Sequence, residues 1–159
     1  MIGGLGPESS IDYYRSILAR YRARKPDSGY PHLVINSLDV DRAIALLDAG
    51  RLSDLTDYLA TGVKLLEQSG ADFGFIAANT PHLVFDEVQR RSAISLVSIV
   101  RSASEHAKAL ALKRVGLLEL DSLCAQIFTR KNSGGQESSW FAQKNQSGNS
   151  FTESTSVNS

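Results

Sequence analysis

Apolar residues recur along the chain in two alternating patterns, one typical of helices and one typical of strands. Helical spacing or helix-ending signals mark the segments 7–25, 41–49, 53–70, 81–90 and 102–112. Short apolar runs between turn residues predict strands over 2–6, 33–35, 73–77, 94–100 and 115–118. Because strands alternate with helices, we expect parallel βαβ units and an α/β fold with a doubly wound parallel sheet.

Two helix starts carry residues that are suited to capping. Ser53 is expected to cap the third predicted helix with its side chain. Thr80 can cap the fourth, with Pro81 in the first helical position.

Three loops are expected to lie at the same edge of this sheet. In doubly wound sheets, ligands bind beyond the carboxyl ends of the strands. That rule selects the loops 3–8, 36–41 and 77–82. The candidate binding residues in them are Gly4, Leu5, Gly6, Asn36, Ser37, Asn79, Thr80 and His82.

The first loop is rich in glycine and leads into a helix, so its backbone amides can approach an anion. Gly4 and Gly6 match the first two glycines of a dinucleotide fingerprint, but Ser9 stands at the third position. The loop therefore does not match the dinucleotide fingerprint. A carboxylate site and a tight turn without a ligand are supported about equally.

The third loop offers two polar side chains for chemistry. Asn79 at a strand end can donate to a carboxylate, and His82 can act as a base near neutral pH. A lone histidine in a first helical turn more often has a structural role, and His32 and His106 have no partner in the sequence pattern.

Composition narrows the function classes. The chain has 17 basic and 17 acidic residues among 159, so no overall field favours nucleic acid or an anionic membrane. The single cysteine, Cys124, excludes an internal disulfide and a cysteine-cluster metal site, and no metal is expected. Without an apolar run that could span a bilayer or a signal-peptide pattern, the sequence predicts a cytoplasmic protein.

The character of the sequence changes near Glu119. Helical and strand periodicity vanish, and residues 132–159 are mostly Ser, Asn, Gln and Gly. Such a segment buries too little apolar surface to offset its ordering entropy, so we expect a disordered tail.

Five segments together resemble the aspartate/glutamate racemase family. They are the loop Gly3–Ser9, the helix residues Ile11–Arg15, and the runs Gly70–Phe73, Ala78–His82 and Ser95–Ile99. The resemblance covers 2–118 and implies two similar α/β domains that face each other across a cleft. It also implies racemisation of a small amino acid such as aspartate or glutamate without a cofactor, in an enzyme that is often homo-oligomeric.

Racemisation in this family needs two bases, because a proton leaves one face of the α-carbon and another arrives on the opposite face. Each domain typically supplies one thiol. In this chain Ala78 occupies the position of the first base, and Met1 stands where the family has an apolar strand residue. With the second domain also missing, we expect little or no activity. A non-catalytic domain that binds a carboxylate or phosphate is the alternative, and maleate isomerisation or hydantoin racemisation are related possibilities.

The resemblance also suggests a division of the chain. Residues 1–112 form the first domain, 113–118 the first strand of an otherwise missing second domain, and 119–159 the tail. When the codons of that tail are read with the frame shifted by one nucleotide, three stretches can encode sequence that resembles the family, all in the same frame. We therefore expect a frameshift close to Leu118 and out-of-frame translation beyond it.

Overall fold

The computed structural model describes residues 1–112, 115–119 and 140–144. The chain divides into two compact units, Met1–Leu112 and Lys113–Ser159. The elements of the first unit are β1 (Ile2–Gly3), α1 (Pro7–Arg24), β2 (Asn36–Ser37), α2 (Val40–Asp48), α3 (Leu52–Gln68), β3 (Phe73–Phe75), a 3₁₀ helix (Thr80–Val84), α4 (Phe85–Arg90), β4 (Ser95–Val97) and α5 (Ile99–Ala109). The alternation of strands and helices confirms the predicted α/β class.

The strands of the first unit run parallel. β1 pairs with β2, and β3 pairs with β4. A parallel bridge between Ile2 and Ile76, with the Ala77 amide 2.9 Å from the Ile2 carbonyl oxygen, joins the two pairs. The resulting order is β2-β1-β3-β4, so the carboxyl ends of all these strands lie at one edge.

One face of the sheet carries the core, because α3 and α4 pack there. The stripe predicted on α3, which comprises Leu55, Leu59, Val63 and Leu66, is fully buried as expected. Ile2, Ile76, Phe85 and Val88 complete the most buried part of the cluster. Burial of each such side chain stabilises the fold by about 1.5–3 kcal/mol.

The opposite face is covered only in part by α1, which has no buried residue. The ring of Tyr13 on this helix lies 5.1 Å from that of Phe75 on the sheet, and burial raises the pKa of the tyrosine. Phe73 remains 63% exposed, and a cavity of about 370 Å³ lies between α1 and the strands. The two faces of the sheet are therefore unequally protected from water.

The second strand lies later than predicted, at Asn36–Ser37 instead of 33–35. Pairing explains the shift, because β1 offers only Ile2 and Gly3 as partners and these align with Asn36 and Ser37. The apolar run before β2 lines the cavity beside α1 instead.

The starts of three helices also differ from the prediction. α3 begins at Leu52, so Ser53 lies inside it, and the N-cap is Arg51, whose guanidinium pairs with Asp54 at 2.6 Å. The 3₁₀ helix has Asn79 as its N-cap, which places Thr80 first and Pro81 second. α5 begins at Ile99, three residues earlier than predicted, because the Ser98 hydroxyl accepts a hydrogen bond from the Arg101 amide at 3.2 Å.

In the second unit, β5 (Val115–Glu119) pairs in parallel with β6 (Trp140–Lys144). β5 lies where the sequence predicts a strand. β6 falls within the segment predicted to be disordered, and its two adjacent aromatic residues favour a strand locally. The rest of that segment, including Cys124, lies outside the described residues.

Candidate active site

The predicted loops do meet at the carboxyl edge of the first unit's sheet. The Leu38 amide donates to the Gly3 carbonyl at 2.9 Å, which fastens the end of β2 to the glycine-rich loop. The bridge between Ile2 and Ile76 brings the same loop beside the turn that follows β3. Residues from three separate segments of the chain therefore border one region.

At this edge of the sheet, position 4 is suited to glycine and not to residues with a Cβ. Its φ is +83°, a conformation that residues with a Cβ rarely adopt. A Cβ there would lie 2.2 Å from the Leu38 carbonyl oxygen and 2.6 Å from the Ser37 hydroxyl. The loop can approach β2 this closely only because residue 4 is glycine.

The start of α1 presents backbone amides that donate to no acceptor among the described residues. Gly6 is the N-cap and has no side chain to accept from the first turn, and Pro7 has no amide hydrogen. The Glu8 and Ser9 amides precede the first intrahelical bond, from Ser10 to the Gly6 carbonyl at 3.0 Å. Among the described residues, the Leu5 and Gly6 amides have no recorded acceptor either. These donors, at the positive end of a helix dipole, suit a carboxylate.

Ser10 also contacts this loop, and it was not among the site residues predicted from the sequence. Its hydroxyl accepts from the Gly4 amide at 3.0 Å and donates to the Gly6 carbonyl at 3.1 Å. The signal in the sequence was a serine four residues after a glycine N-cap, since a hydroxyl in a helix can bond the carbonyl four residues earlier.

The β2 candidates divide between the fold and the surface. The Asn36 side-chain amide donates to the Gly62 carbonyl at 3.0 Å, so one of its donors holds β2 against α3. Ser37 is exposed beside Gly4, whereas Leu5 is half-buried and packs against the core. A substrate-binding role for these three residues stays a prediction.

The turn after β3 places Ala78 half-buried and Asn79 exposed at the edge. His82 is buried instead. Its Nδ1 donates to the Ala78 carbonyl at 2.9 Å, and its ring is nearly parallel to Phe85 with centroids 4.9 Å apart. These contacts support the structural alternative for His82, because they brace the turn. Binding roles for Asn79, Thr80 and His82 stay predictions.

One further polar side chain at the edge, Ser98, was not among the residues predicted from the sequence. Ser98 follows β4, is 8% exposed and caps α5. Its position after a strand end was the available signal. Among the described residues, no group of three or more His, Cys, Asp or Glu side chains could hold a metal ion.

Comparison with known proteins agrees with this architecture. The model of the Asp/Glu/Hydantoin racemase family matches residues 2–136. The broad specificity amino-acid racemase RacX of Bacillus subtilis (strain 168) is 24% identical over 145 residues, which cover 86% of this chain and 61% of RacX.

Solved structures give the same result. An aspartate racemase homologue from Pyrococcus horikoshii OT3 is 30% identical with a TM-score of 0.74, and the match covers 90% of this chain and 62% of the homologue. A proposed Asp/Glu racemase from Yersinia pestis, 21% identical with a TM-score of 0.76, shares the fold over 90% of this chain and 63% of its own.

The chain thus spans about three fifths of the length of these relatives. No helix among the described residues is long and apolar enough to cross a membrane. Since the family match extends over most of the sequence, including every loop of the site, the chain belongs to the Asp/Glu/Hydantoin racemase family.

Proposed function

We propose that the first unit is the substrate-binding half of a racemase that acts on a small amino acid such as aspartate or glutamate without a cofactor. One observation carries the proposal. The unused amides at the start of α1 and the turn that bears Ala78 and Asn79 border the same edge of the sheet. A carboxylate at the helix start would place the attached α-carbon within this region.

The chemistry defines what such a half must supply. Donors at the helix start neutralise the carboxylate and so stabilise negative charge that develops as the α-proton leaves. A base on each face of the α-carbon must then remove and return a proton. Ala78 occupies one of these positions and its methyl group cannot exchange a proton, so we propose that this chain binds substrate but does not racemise it.

The cytoplasmic location, the homo-oligomeric state and the lack of nucleic-acid or membrane partners belong to the same proposal. The lack of an apolar run that could span a bilayer supports the first, and the family resemblance suggests the second. The equal numbers of acidic and basic residues support the third, since no net field would attract a polyanion.

Restoring one base is expected to produce proton exchange without racemisation. In Ala78→Cys the thiolate can remove the α-proton from one face, and in this proposal none of the described residues supplies a base on the other. In D₂O we expect deuterium at the α-carbon of one aspartate enantiomer, accelerated roughly 100-fold or more over the unaltered chain, with no inversion. Mass spectrometry measures the exchange and chiral chromatography the configuration.

Ala78→Ser is the matched control for this experiment, because its hydroxyl is similar in size but is a far weaker base. It should show no exchange above background. Racemisation by the unaltered chain, or inversion by Ala78→Cys alone, would contradict the proposed distribution of bases.

A second candidate function is a domain that binds a carboxylate or phosphate without turnover, and the methyl group at Ala78 favours it. Calorimetry with aspartate, glutamate, inorganic phosphate and ATP separates the two. Binding of the amino acids alone supports the racemase half. Preference for phosphate or nucleotide supports the second candidate.

We also propose that residues 119–159 are translated out of frame. The three family-like stretches in the shifted reading support this, whereas the family match extends past Leu118 to residue 136 and so overlaps the segment in question. Sequencing the gene is decisive. We expect an inserted or deleted nucleotide near codon 118 and codons compatible with the shifted stretches; different nucleotides there would exclude the frameshift.

A further inference from the structure

The glycine-rich loop is held by a side chain that contacts it at both ends. The Ser10 hydroxyl accepts a hydrogen bond from the Gly4 amide at 3.0 Å and donates one to the Gly6 carbonyl at 3.1 Å. Between these two points lies Leu5. The hydroxyl therefore spans the segment that contains the unused Leu5 and Gly6 amides.

We propose that Ser10 is a positioning residue for the substrate carboxylate, which acts by fixing the orientation of the Gly4–Gly6 backbone. The inference rests on the proposed function, since it concerns the same loop. Ser10 does not need to touch the substrate. It holds the loop in one conformation before a ligand arrives, and this reduces the ordering cost of binding.

A hydroxyl is required because one atom must accept and donate at the same time. Alanine can do neither. Threonine has the same hydroxyl and is the only other aliphatic side chain that can replace both contacts without a change in length. The conservative variant is therefore informative.

The neighbouring glycine, Gly3, supports the proposed role of the Ser10 hydroxyl. A Cβ at Gly3 would lie 3.0 Å from the Ser10 hydroxyl oxygen, which is tighter than ordinary contact. The absence of a side chain at position 3 thus leaves the space that the hydroxyl occupies. Gly3 and Gly4 serve different purposes, since Gly4 accommodates the approach of Leu38 instead.

The test compares Ser10→Ala and Ser10→Thr with Ser9→Ala. Ser9 is exposed in the same helical turn, and this change keeps the backbone amide and removes only a hydroxyl that bonds none of the described residues. Solvent exchange of the Gly4 amide, followed by NMR on the whole chain, reports the contact itself. We expect exchange to accelerate roughly five- to tenfold in Ser10→Ala, and to stay unchanged in the other two variants.

Aspartate and glutamate titrations on the same samples report the positioning role. We expect the dissociation constant to rise about tenfold in Ser10→Ala and to return to the unaltered value in Ser10→Thr. Circular dichroism confirms that each variant is folded.

Each outcome decides a separate point. Unchanged Gly4 exchange in Ser10→Ala would overturn the contact, and faster exchange with unaltered affinity would overturn the positioning role. Failure of Ser10→Thr to restore affinity would contradict the requirement for a hydroxyl. If the unaltered chain binds neither amino acid, the proposed function fails and the carboxylate role of Ser10 fails with it, while the exchange data still decide whether the hydroxyl fixes the loop.

Discussion

Replacing Gly4 with alanine is expected to destabilise the first unit by about 3 kcal/mol or more, the largest loss we expect from adding a single methyl group. Two costs add at this position. The positive φ of +83° strains any residue with a Cβ, and the new atom would meet the Leu38 carbonyl oxygen at 2.2 Å. The new atom would also lie 2.6 Å from the Ser37 hydroxyl. Because neither the Leu38 backbone nor the short Ser37 side chain can give way, the loop must move away from β2. Denaturant unfolding measures the loss.

Two other glycines separate these costs with the same substitution. At Gly50 φ is +66°, and a Cβ there would have none of the described residues within 4 Å except its neighbours in the chain, so only strain of about 1–2 kcal/mol should appear. At Gly29 the surroundings are open and φ does not lie in the left-handed region, so alanine should change stability by less than about 1 kcal/mol. A loss at Gly4 no larger than that at Gly50 would show that the contact with Leu38 is not close in solution.

Replacing Phe85 with alanine is expected to cost about 3–5 kcal/mol, because it removes the largest fully buried side chain of the core. The ring also stacks on His82, and the guanidinium of Arg101, a residue of α5, lies 5.5 Å from the ring centroid. Its loss should therefore loosen the Ala78–His82 turn as well. Thermal and denaturant unfolding measure the global effect, and amide exchange at residues 78–82 measures the local one.

Phe73 provides the matched control, since it is the same residue type but is 63% exposed on β3. Phe73→Ala should cost less than about 1 kcal/mol. Phe85→Leu should recover part of the loss by refilling the cavity. Equal destabilisation at positions 73 and 85 would contradict the packing described for α4.

The sequence predicted the α/β class and the α3 stripe because both depend on periodicity over many residues. A single slipped position among Leu55, Leu59, Val63 and Leu66 would not hide the pattern. β2 was misplaced for the opposite reason. Its length and register depend on the two residues that β1 offers, and no local pattern near residue 36 carries that information.

The candidate site was predicted as a set of loops and less well as a set of side chains. The topology rule predicted that the three loops meet at one edge. The structure agrees, since the Leu38 amide bonds to the Gly3 carbonyl and the Ala77 amide to the Ile2 carbonyl. The direction of a side chain depends on packing instead. Asn36 turns to Gly62, a partner 26 residues away that only the fold brings within reach. His82 turns into the core beside Phe85, a local contact whose direction depends on how the buried helices pack. Ser10 was missed because its value lies in a hydrogen-bond geometry that its residue type alone does not reveal.

Because α1 has no buried residue, ligand binding at its start and the local stability of the helix should be linked. A helix without a buried residue should open more readily than α3, whose interior stripe unfolds only with the whole unit. The Glu8 and Ser9 amides belong to that same helix, so an anion that binds them binds only the seated form. Ligand concentration would then set how much of the time α1 stays docked, and it would protect this helix from proteases and solvent exchange before it alters any other part of the unit.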